Sequence, residues 1–144
     1  MLKIFSDPER NFIVVKNEID QGFEVVSIHD IQPTEDILKK ESVDYFLANP
    51  ERIFDEKISI TKSDNLKYKY STVDGNNRLF VLFLLGFDKL KILPDDADHF
   101  YVEGDKNNQD MAEDTRNRGV TGWELLKEHL VPEEEYHRML SERY

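Results

Sequence analysis

Residues 73–86 read Val-Asp-Gly-Asn-Asn-Arg-Leu-Phe-Val-Leu-Phe-Leu-Leu-Gly, a polar turn followed by an apolar run. Periodicity alone does not separate a buried strand from a buried helix in so short a run. Asp74, Gly75 and Asn76 supply turn and N-cap residues, and Gly86 stands where a helix commonly places a glycine after its last turn. The stretch therefore predicts a turn and then a helix, which must be packed on both sides because it is apolar all round.

Strand patterns lie on both sides of this segment. Runs of β-branched and alternating residues predict strands at 1–5, 11–16, 23–28, 57–61, 66–73 and 89–93, with 57–61 and 66–73 paired as a hairpin. A helix is predicted over 35–47, with Thr34 as its N-cap and Glu35 and Asp36 in its first turn. A second helix start at Ser42 stays open.

The C-terminal part has a helical pattern. Residues 100–102 suggest one more edge strand, and a polar helix is predicted over 110–117, closed by Gly119. Residues 121–124 read as a capping box that opens another helix, and Pro132 starts a last one. We therefore predict an α+β or α/β domain over residues 1–104, with a helical appendage over 105–144 that packs on it.

Composition excludes several classes of protein. The chain has 144 residues, and its 9 Phe, 6 Tyr and 1 Trp argue against disorder. It has no cysteine, which excludes disulfides, thiolate metal sites and cysteine nucleophiles. The longest apolar run, 79–86, is far shorter than the ~20 residues that span a bilayer, and residues 1–12 lack the apolar core of a signal peptide. We expect a cytoplasmic protein with no membrane partner.

Charge is distributed unevenly along the chain. The formal net charge of −11 disfavours duplex DNA as a partner, because phosphate neutralisation dominates that affinity. Residues 57–94 nevertheless hold seven basic and three acidic residues. A basic middle in an acidic chain suits a site for a small anion. The alternative is that its lysines only decorate an exposed hairpin.

The turn at residues 74–78 has the chemistry of an anion site. A helix N-terminus offers unpaired N–H groups and a positive dipole end, and Gly75 permits a close backbone approach. Asn76 and Asn77 add amide donors, and Arg78 adds a planar cationic fork suited to phosphate. Asp74 would orient these groups or hold a metal with the phosphates. The alternative is a structural turn in which Asp74 caps the helix and pairs with Arg78.

The order of these elements resembles the ParB/sulfiredoxin superfamily. There a strand ends in Asp-Gly or Gly-Gly, a short polar loop ends in His-Arg or Arg-Arg, and a helix follows, which is similar to the segment 74–86 here. The turn at 29–34 is similar to the family's Ile-x-Pro-Thr turn. The segments 40–48 and 57–61 are similar to its next helix and strand. The resemblance covers roughly residues 23–94 and implies a small mixed sheet with packed helices.

The resemblance also implies a chemistry. It implies that Gly75, Asn76, Asn77 and Arg78 bind the phosphates of ATP or another nucleotide, together with Mg²⁺. Glu35 matches the place of the glutamate base in relatives that phosphorylate free serine. Sulfinic acid reduction is excluded because the chain has no cysteine. A partition role is disfavoured, since Asn77 replaces the first arginine of the pair and the chain shows no basic second domain.

These observations predict a nucleotide-binding protein that transfers or hydrolyses a phosphoryl group, a phosphotransferase or ATPase with Glu35 and Asp74 as catalytic residues. Two alternatives stay open. One is a nuclease on the same scaffold, which the acidic charge disfavours. The other is a non-catalytic module whose acidic surface binds a basic protein partner.

Three further candidates have plain structural explanations. Glu35 would stabilise a helix through its dipole alone. His29, beside Asp30, is an acid–base or ligand candidate, although a single histidine is more often structural. The run 95–99 is dense enough in carboxylates for Mg²⁺, but a solvated acidic loop explains it as well. We therefore predict no metal site formed by protein side chains alone.

Overall fold

The computed structural model describes residues 4–7, 12–15, 24–65, 67–92 and 100–143. It has a mixed α+β architecture, which confirms the predicted class. The strands are β1 (Ile4–Asp7), β2 (Phe12–Val15), β3 (Glu24–Ser27), β4 (Ile31–Gln32), β5 (Leu38–Lys39), β6 (Ser59–Lys62), β7 (Tyr70–Asp74), β8 (Lys89–Ile92) and β9 (Leu130–Val131). The helices are α1 (Lys40–Ala48), α2 (Asn76–Leu84), α3 (Lys106–Asn117) and α4 (Glu133–Arg143), and 3-10 turns cover Ile28–Asp30, Pro50–Arg52 and Trp123–Glu128.

The strands form small mixed sheets. One has the order β1-β2-β8-β3, in which β2 and β8 are parallel and the other pairs are antiparallel. A second has the order β4-β7-β6, with β4 parallel and β6 antiparallel to β7. The predicted hairpin is the β6–β7 pair. A two-stranded parallel sheet joins β5 to β9 and so connects the middle of the chain to its C-terminal part.

Helix α2 forms where residues 73–86 predicted it. Residues 79–82 are fully buried, so burial of large side chains, each worth about 1.5–3 kcal/mol, holds the helix between its neighbours. Gly86 has a φ of +93°, the left-handed conformation of a residue beyond a helix C-terminus. The choice of helix over strand is therefore confirmed.

The predicted helix over 35–47 begins five residues late. Helix α1 starts at Lys40, and β5, just before it, pairs with β9. Thr34 is therefore not a helix N-cap. Its hydroxyl donates to the Thr72 carbonyl at 3.1 Å instead. Glu35 does not lie in a first helical turn, so the dipole explanation for this glutamate is wrong.

Three predictions for the C-terminal part also need correction. Helix α3 begins at Lys106 rather than at 110, because the Asp105 side chain caps it by accepting from the Asn108 N–H at 2.9 Å. Residues 121–124 form no capping box, since Gly122 precedes a 3-10 turn that has no side-chain cap. The edge strand at 100–102 is reduced to a single parallel bridge between Tyr101 and Ile60.

The C-terminal part shares the core of the rest of the chain. Val120, Trp123 and Leu126 belong to the same cluster of buried apolar side chains as Leu79 and Phe80 of α2. The Trp123 indole N–H donates to two backbone carbonyls, Ile28 at 2.9 Å and Ile31 at 3.0 Å. Within the part of the chain that the structure describes, no helix is long and apolar enough to cross a bilayer.

Candidate functional site

Gly75 makes the tight turn between β7 and α2. Its φ is +119°, a conformation that side chains with a Cβ rarely adopt. A Cβ at this position would also lie 3.1 Å from two side-chain carbons of Ile58. The first N–H groups of α2 have no intrahelical acceptor, as at any helix N-terminus. The loop therefore has the backbone geometry on which the anion-site prediction depended.

Asn76 ties this turn to the turn that carries Glu35. Its Oδ1 accepts the Thr34 backbone N–H at 3.0 Å, and its Nδ2 donates to the Thr34 hydroxyl at 2.9 Å. Thr34 and Asn76 are both buried. The two turns, 42 residues apart in sequence, therefore meet at one place in the fold.

The Arg78 guanidinium is engaged by the protein itself. Nη1 donates to the Ile53 carbonyl at 3.2 Å and also to the Glu56 carbonyl, and Nη2 donates to the Lys57 carbonyl at 3.2 Å. Asp74 lies 3.6 Å from Nη2, as the structural alternative expected. Burial lowers the pKa of Arg78. This geometry differs from the predicted phosphate clamp, because the donors of Arg78 point into the loop 53–57.

The other two polar side chains of the loop are less committed. The Asp74 side chain is 66% exposed. Asn77 is half-buried, and its Oδ1 is buried without a hydrogen bond from any residue that the structure describes. Although one Asp74 oxygen pairs with Arg78, most of the side chain is accessible to a ligand or an ion from solvent.

Glu35 is held by a residue of the last helix. The Tyr136 hydroxyl donates to Glu35 Oε1 at 3.2 Å. Burial raises the pKa of the Glu35 carboxyl, and the nearby charges of Asp36 and Asp74 act in the same direction. Burial, together with the adjacent Glu35, raises the pKa of Tyr136 to about 12. A carboxyl with a raised pKa near a cavity is a candidate for proton transfer at neutral pH.

Glu35 lines a cavity of about 160 Å³, which we call the junction cavity because the Glu35 turn, α3 and α4 form its wall. Its lining residues are Thr34, Glu35, Asp36, Ile37, Met111, Asp114, Thr115, Arg118, Tyr136, Leu140 and Arg143. Arg143 is committed to Asp36 in a two-pronged ion pair, with N–O distances of 2.6 and 2.8 Å. Arg118 forms no ion pair with any described residue, so it is the cation of this wall that a ligand would meet.

Arg78 lines a different cavity. This one has a volume of about 240 Å³ and is lined by Tyr45, Phe46, Arg52, Asp55, Glu56 and Arg78. Glu35 and Arg78, predicted to act on one ligand, therefore face separate spaces.

A large open cleft lies between the β6–β7 hairpin and the start of α3. Its volume is about 1160 Å³. Lys62, Lys69 and Lys106 line it together with Tyr68, Tyr70 and Tyr101, but so do four carboxylates, Asp64, Glu103, Asp105 and Asp110. The basic residues of the middle segment thus lie among acidic ones. The cleft has no concentrated positive charge of the kind that nucleic acid requires.

The remaining candidates from the sequence have surroundings that do not indicate a catalytic or metal-binding role. His29 is exposed and packs edge-on against Phe83, with ring centroids 6.0 Å apart. Asp30 lies 3.9 Å from Lys69. Among the described residues, no group of three or more His, Cys, Asp or Glu side chains is arranged to hold a metal ion. The acidic run 95–99 lies outside the described residues.

Comparison of the chain with models of protein families, with curated proteins and with solved structures found no match.

Sequence reasoning missed Arg118, Tyr136 and Arg143. Tyr136 and Arg143 contact residues 101 and 107 positions away, so no local pattern links them to the Glu35 turn. The signal available in the sequence was weak, because a tyrosine and an arginine on a predicted helix do not by themselves indicate a functional site.

We expect Glu35→Gln to become progressively more stabilising, relative to the wild-type chain, as pH rises from 4 to 8. The folded-state pKa of Glu35 lies above its ordinary value of 4.5, so the folded chain holds this proton more tightly than the unfolded chain. Stability from this group is fully present below that value and is lost as pH rises through the raised pKa. Glutamine stays neutral and avoids the loss.

The measurement is urea unfolding of both chains at several pH values. Glu134→Gln is the control, because Glu134 is exposed and forms no ion pair within the described residues. A difference between Glu35→Gln and wild type that does not change with pH would contradict the raised pKa.

Proposed function

We propose that the chain binds a phosphate-bearing nucleotide where the Glu35 turn meets the N-terminus of α2, and that Glu35 accepts a proton during phosphoryl transfer or hydrolysis. The observation that carries the proposal is the pair of hydrogen bonds between Thr34 and Asn76, at 3.0 and 2.9 Å. They hold a carboxyl of raised pKa next to a helix N-terminus. The resemblance to the ParB/sulfiredoxin superfamily supports the same chemistry.

The proposal assigns the phosphates to different groups than the sequence suggested. Arg78 is engaged by carbonyls of the loop 53–57. The guanidinium of Arg118 lines the junction cavity and is left as a donor for an anion there. The N-terminal N–H groups of α2 lie at the adjoining turn, outside the lining of that cavity, and would meet a second phosphate of the same nucleotide. A cavity of about 160 Å³ suits a phosphate-sized group. The base and sugar would then lie outside the cavity.

Mg²⁺ fits this arrangement as a companion of the nucleotide. The ion commonly binds one or two carboxylates together with substrate phosphates and water. Asp74, with its side chain 66% exposed beside the α2 N-terminus, is suited to be that carboxylate. When bound, the ion would neutralise phosphate charge.

The role of Glu35 follows from its surroundings. A base works only within hydrogen-bond reach of the proton that it takes, directly or through one water. Its contact with Tyr136 fixes one oxygen of the carboxyl and leaves the other for a hydroxyl or water of the substrate. Burial raises its pKa, which is the direction in which enzymes tune a glutamate that serves as a general base.

Nucleotide binding is tested by thermal shift with ATP, ADP, CTP and GTP at millimolar concentration, each with and without Mg²⁺. We expect at least one nucleotide to raise the Tm. We expect Arg118→Gln to raise the Kd of that nucleotide about tenfold, which corresponds to about 1.4 kcal/mol. We expect Glu35→Gln to abolish turnover of the nucleotide while its binding is retained.

Arg116→Gln is the matched control, since Arg116 lies in the last turn of α3, two residues before Arg118, but does not line the junction cavity. No stabilisation by any nucleotide would count against the proposal, as would equal weakening by both arginine variants.

One observation favours the non-catalytic alternative. Helix α4 begins with Glu133, Glu134 and Glu135, all exposed, and such a run suits a basic protein partner. On that alternative the chain binds no nucleotide, and charge reversal at these three positions abolishes binding of the basic partner. The nuclease alternative has less support, because the large cleft is lined by four carboxylates as well as by three lysines.

A further inference from the structure

The C-terminal residues attach to the rest of the chain in two different ways. The 3-10 turn around Trp123 is anchored deeply, with Trp123 and Leu126 buried and the indole N–H bonded to two carbonyls. Helix α4, by contrast, contains no buried residue. The first attachment belongs to the core, whereas the second lies on its surface.

Helix α4 contacts the rest of the chain through polar side chains at both of its ends. Near its start, Tyr136 donates to Glu35 at 3.2 Å and has the Lys39 ammonium 5.5 Å from its ring centre. At its end, Arg143 forms the two-pronged ion pair with Asp36. These contacts act as two latches, one at each end of the helix.

The segment before α4 is suited to act as a hinge. Strand β9 pairs with β5 over two residues only, Leu130 with Leu38 and Val131 with Lys39. The His129 carbonyl accepts the Leu38 N–H at 3.1 Å just before it. Pro132 then separates β9 from α4. Leu130 packs against the core, so the anchored part ends at this two-residue strand, and Pro132 follows it before α4 begins.

Helix α4 also forms one wall of the cavity. It contributes Tyr136, Leu140 and Arg143, while α3 contributes Met111, Asp114 and Thr115. Displacement of α4 would remove its wall and expose Glu35 and Asp36 together.

We propose that α4 is a cover of the junction cavity, latched through Tyr136 and Arg143, which opens as a unit on the hinge at Leu130–Val131 to admit the ligand. Its role in admitting a ligand rests on the proposed function, but the opening itself does not. Local opening with low free energy is expected of elements that have few buried apolar contacts.

The absence of cysteine from the chain allows a single reporter thiol. Met111→Cys places a thiol in the α3 wall of the cavity, and Asn117→Cys places one at an exposed position of the same helix. The rate of labelling by a thiol reagent then reports access to each position. No nucleotide is added, so the result is independent of whether the proposed function is correct.

We expect Arg143→Gln to speed labelling of Met111→Cys about tenfold, because hydrogen bonds to charged groups are lost, and to leave Asn117→Cys unchanged. Arg138→Gln is the matched control. Arg138 lies on α4, and among the described residues its guanidinium bonds to Glu135 and Glu142 of its own helix. It should have little effect on labelling at the cavity.

Two results would contradict the proposal that α4 covers the junction cavity. One is an unchanged labelling rate at Met111→Cys when Arg143 is replaced. The other is equal acceleration by Arg143→Gln and Arg138→Gln, or at both reporter positions, since either would mean general loosening of the chain rather than opening at the latch.

Discussion

Replacing Trp123 by alanine is expected to lower the free energy of unfolding by about 3–5 kcal/mol, the usual cost of truncating a buried aromatic side chain to alanine. Trp123 is 2% exposed and belongs to the same apolar cluster as α2. Its indole N–H satisfies the carbonyls of Ile28 and Ile31. Alanine would leave a cavity and would remove the indole hydrogen bonds to both carbonyls. Urea unfolding followed by circular dichroism measures the loss.

Leu125→Ala is the control for this prediction. Leu125 lies in the same 3-10 turn but is 42% exposed, so its truncation should change stability by no more than about 0.5 kcal/mol. Trp123→Phe keeps an aromatic ring without the N–H and should give an intermediate loss. If Trp123→Ala lay within about 1 kcal/mol of wild type, the C-terminal residues would contribute little to the common core.

The part of the fold that the sequence could predict is the part determined locally. The turn at Asp74–Asn76, the apolar run after it and Gly86 carry the signals of a helix start, interior and end within thirteen residues. Helix α2 follows these signals closely. The hairpin formed by β6 and β7 is similarly local.

The segment 35–39 could not be predicted in this way. Its local pattern favours a helix, but its partners are β9, Tyr136 and Arg143, about a hundred positions further along the chain. Pairing with β9 holds the backbone extended at Leu38 and Lys39, so long-range contacts outweigh local propensity. The environment of Glu35 depends on the same contacts, which is why the sequence indicated the residue but not its setting.

Arg78 shows a different limit. An arginine at a helix start reads as an anion ligand, because residue type alone does not reveal whether the side chain points outward or inward. Its direction depends on the loop 53–57, whose carbonyls converge on the guanidinium. The sequence of that loop contains no pattern that predicts that its carbonyls will accept hydrogen bonds from Arg78.

Arg78→Ala is therefore expected to destabilise the fold, by about 3 kcal/mol, because hydrogen bonds from a charged group to carbonyl oxygens would be lost and their acceptors left unsatisfied. Arg78→Lys should rescue only a small part, since an ammonium is a point donor and does not reproduce a planar fork. Thermal and urea unfolding measure both variants.

Arg52→Ala is the matched control, because Arg52 lines the same cavity but, within the described part of the chain, its ion pair is with the exposed Asp55, at 3.1 Å. Exposed pairs of this kind contribute about 0–1 kcal/mol. The two roles of Arg78 are then separable. A positioning residue costs stability when it is lost and leaves nucleotide affinity nearly unchanged in the molecules that remain folded. A residue that binds phosphate shows the opposite pattern, in which its loss weakens nucleotide affinity and leaves stability nearly unchanged. Arg78→Ala that unfolds like wild type but no longer binds nucleotide would therefore restore the role that residues 74–78 suggested, and would contradict the internal contacts described for this side chain.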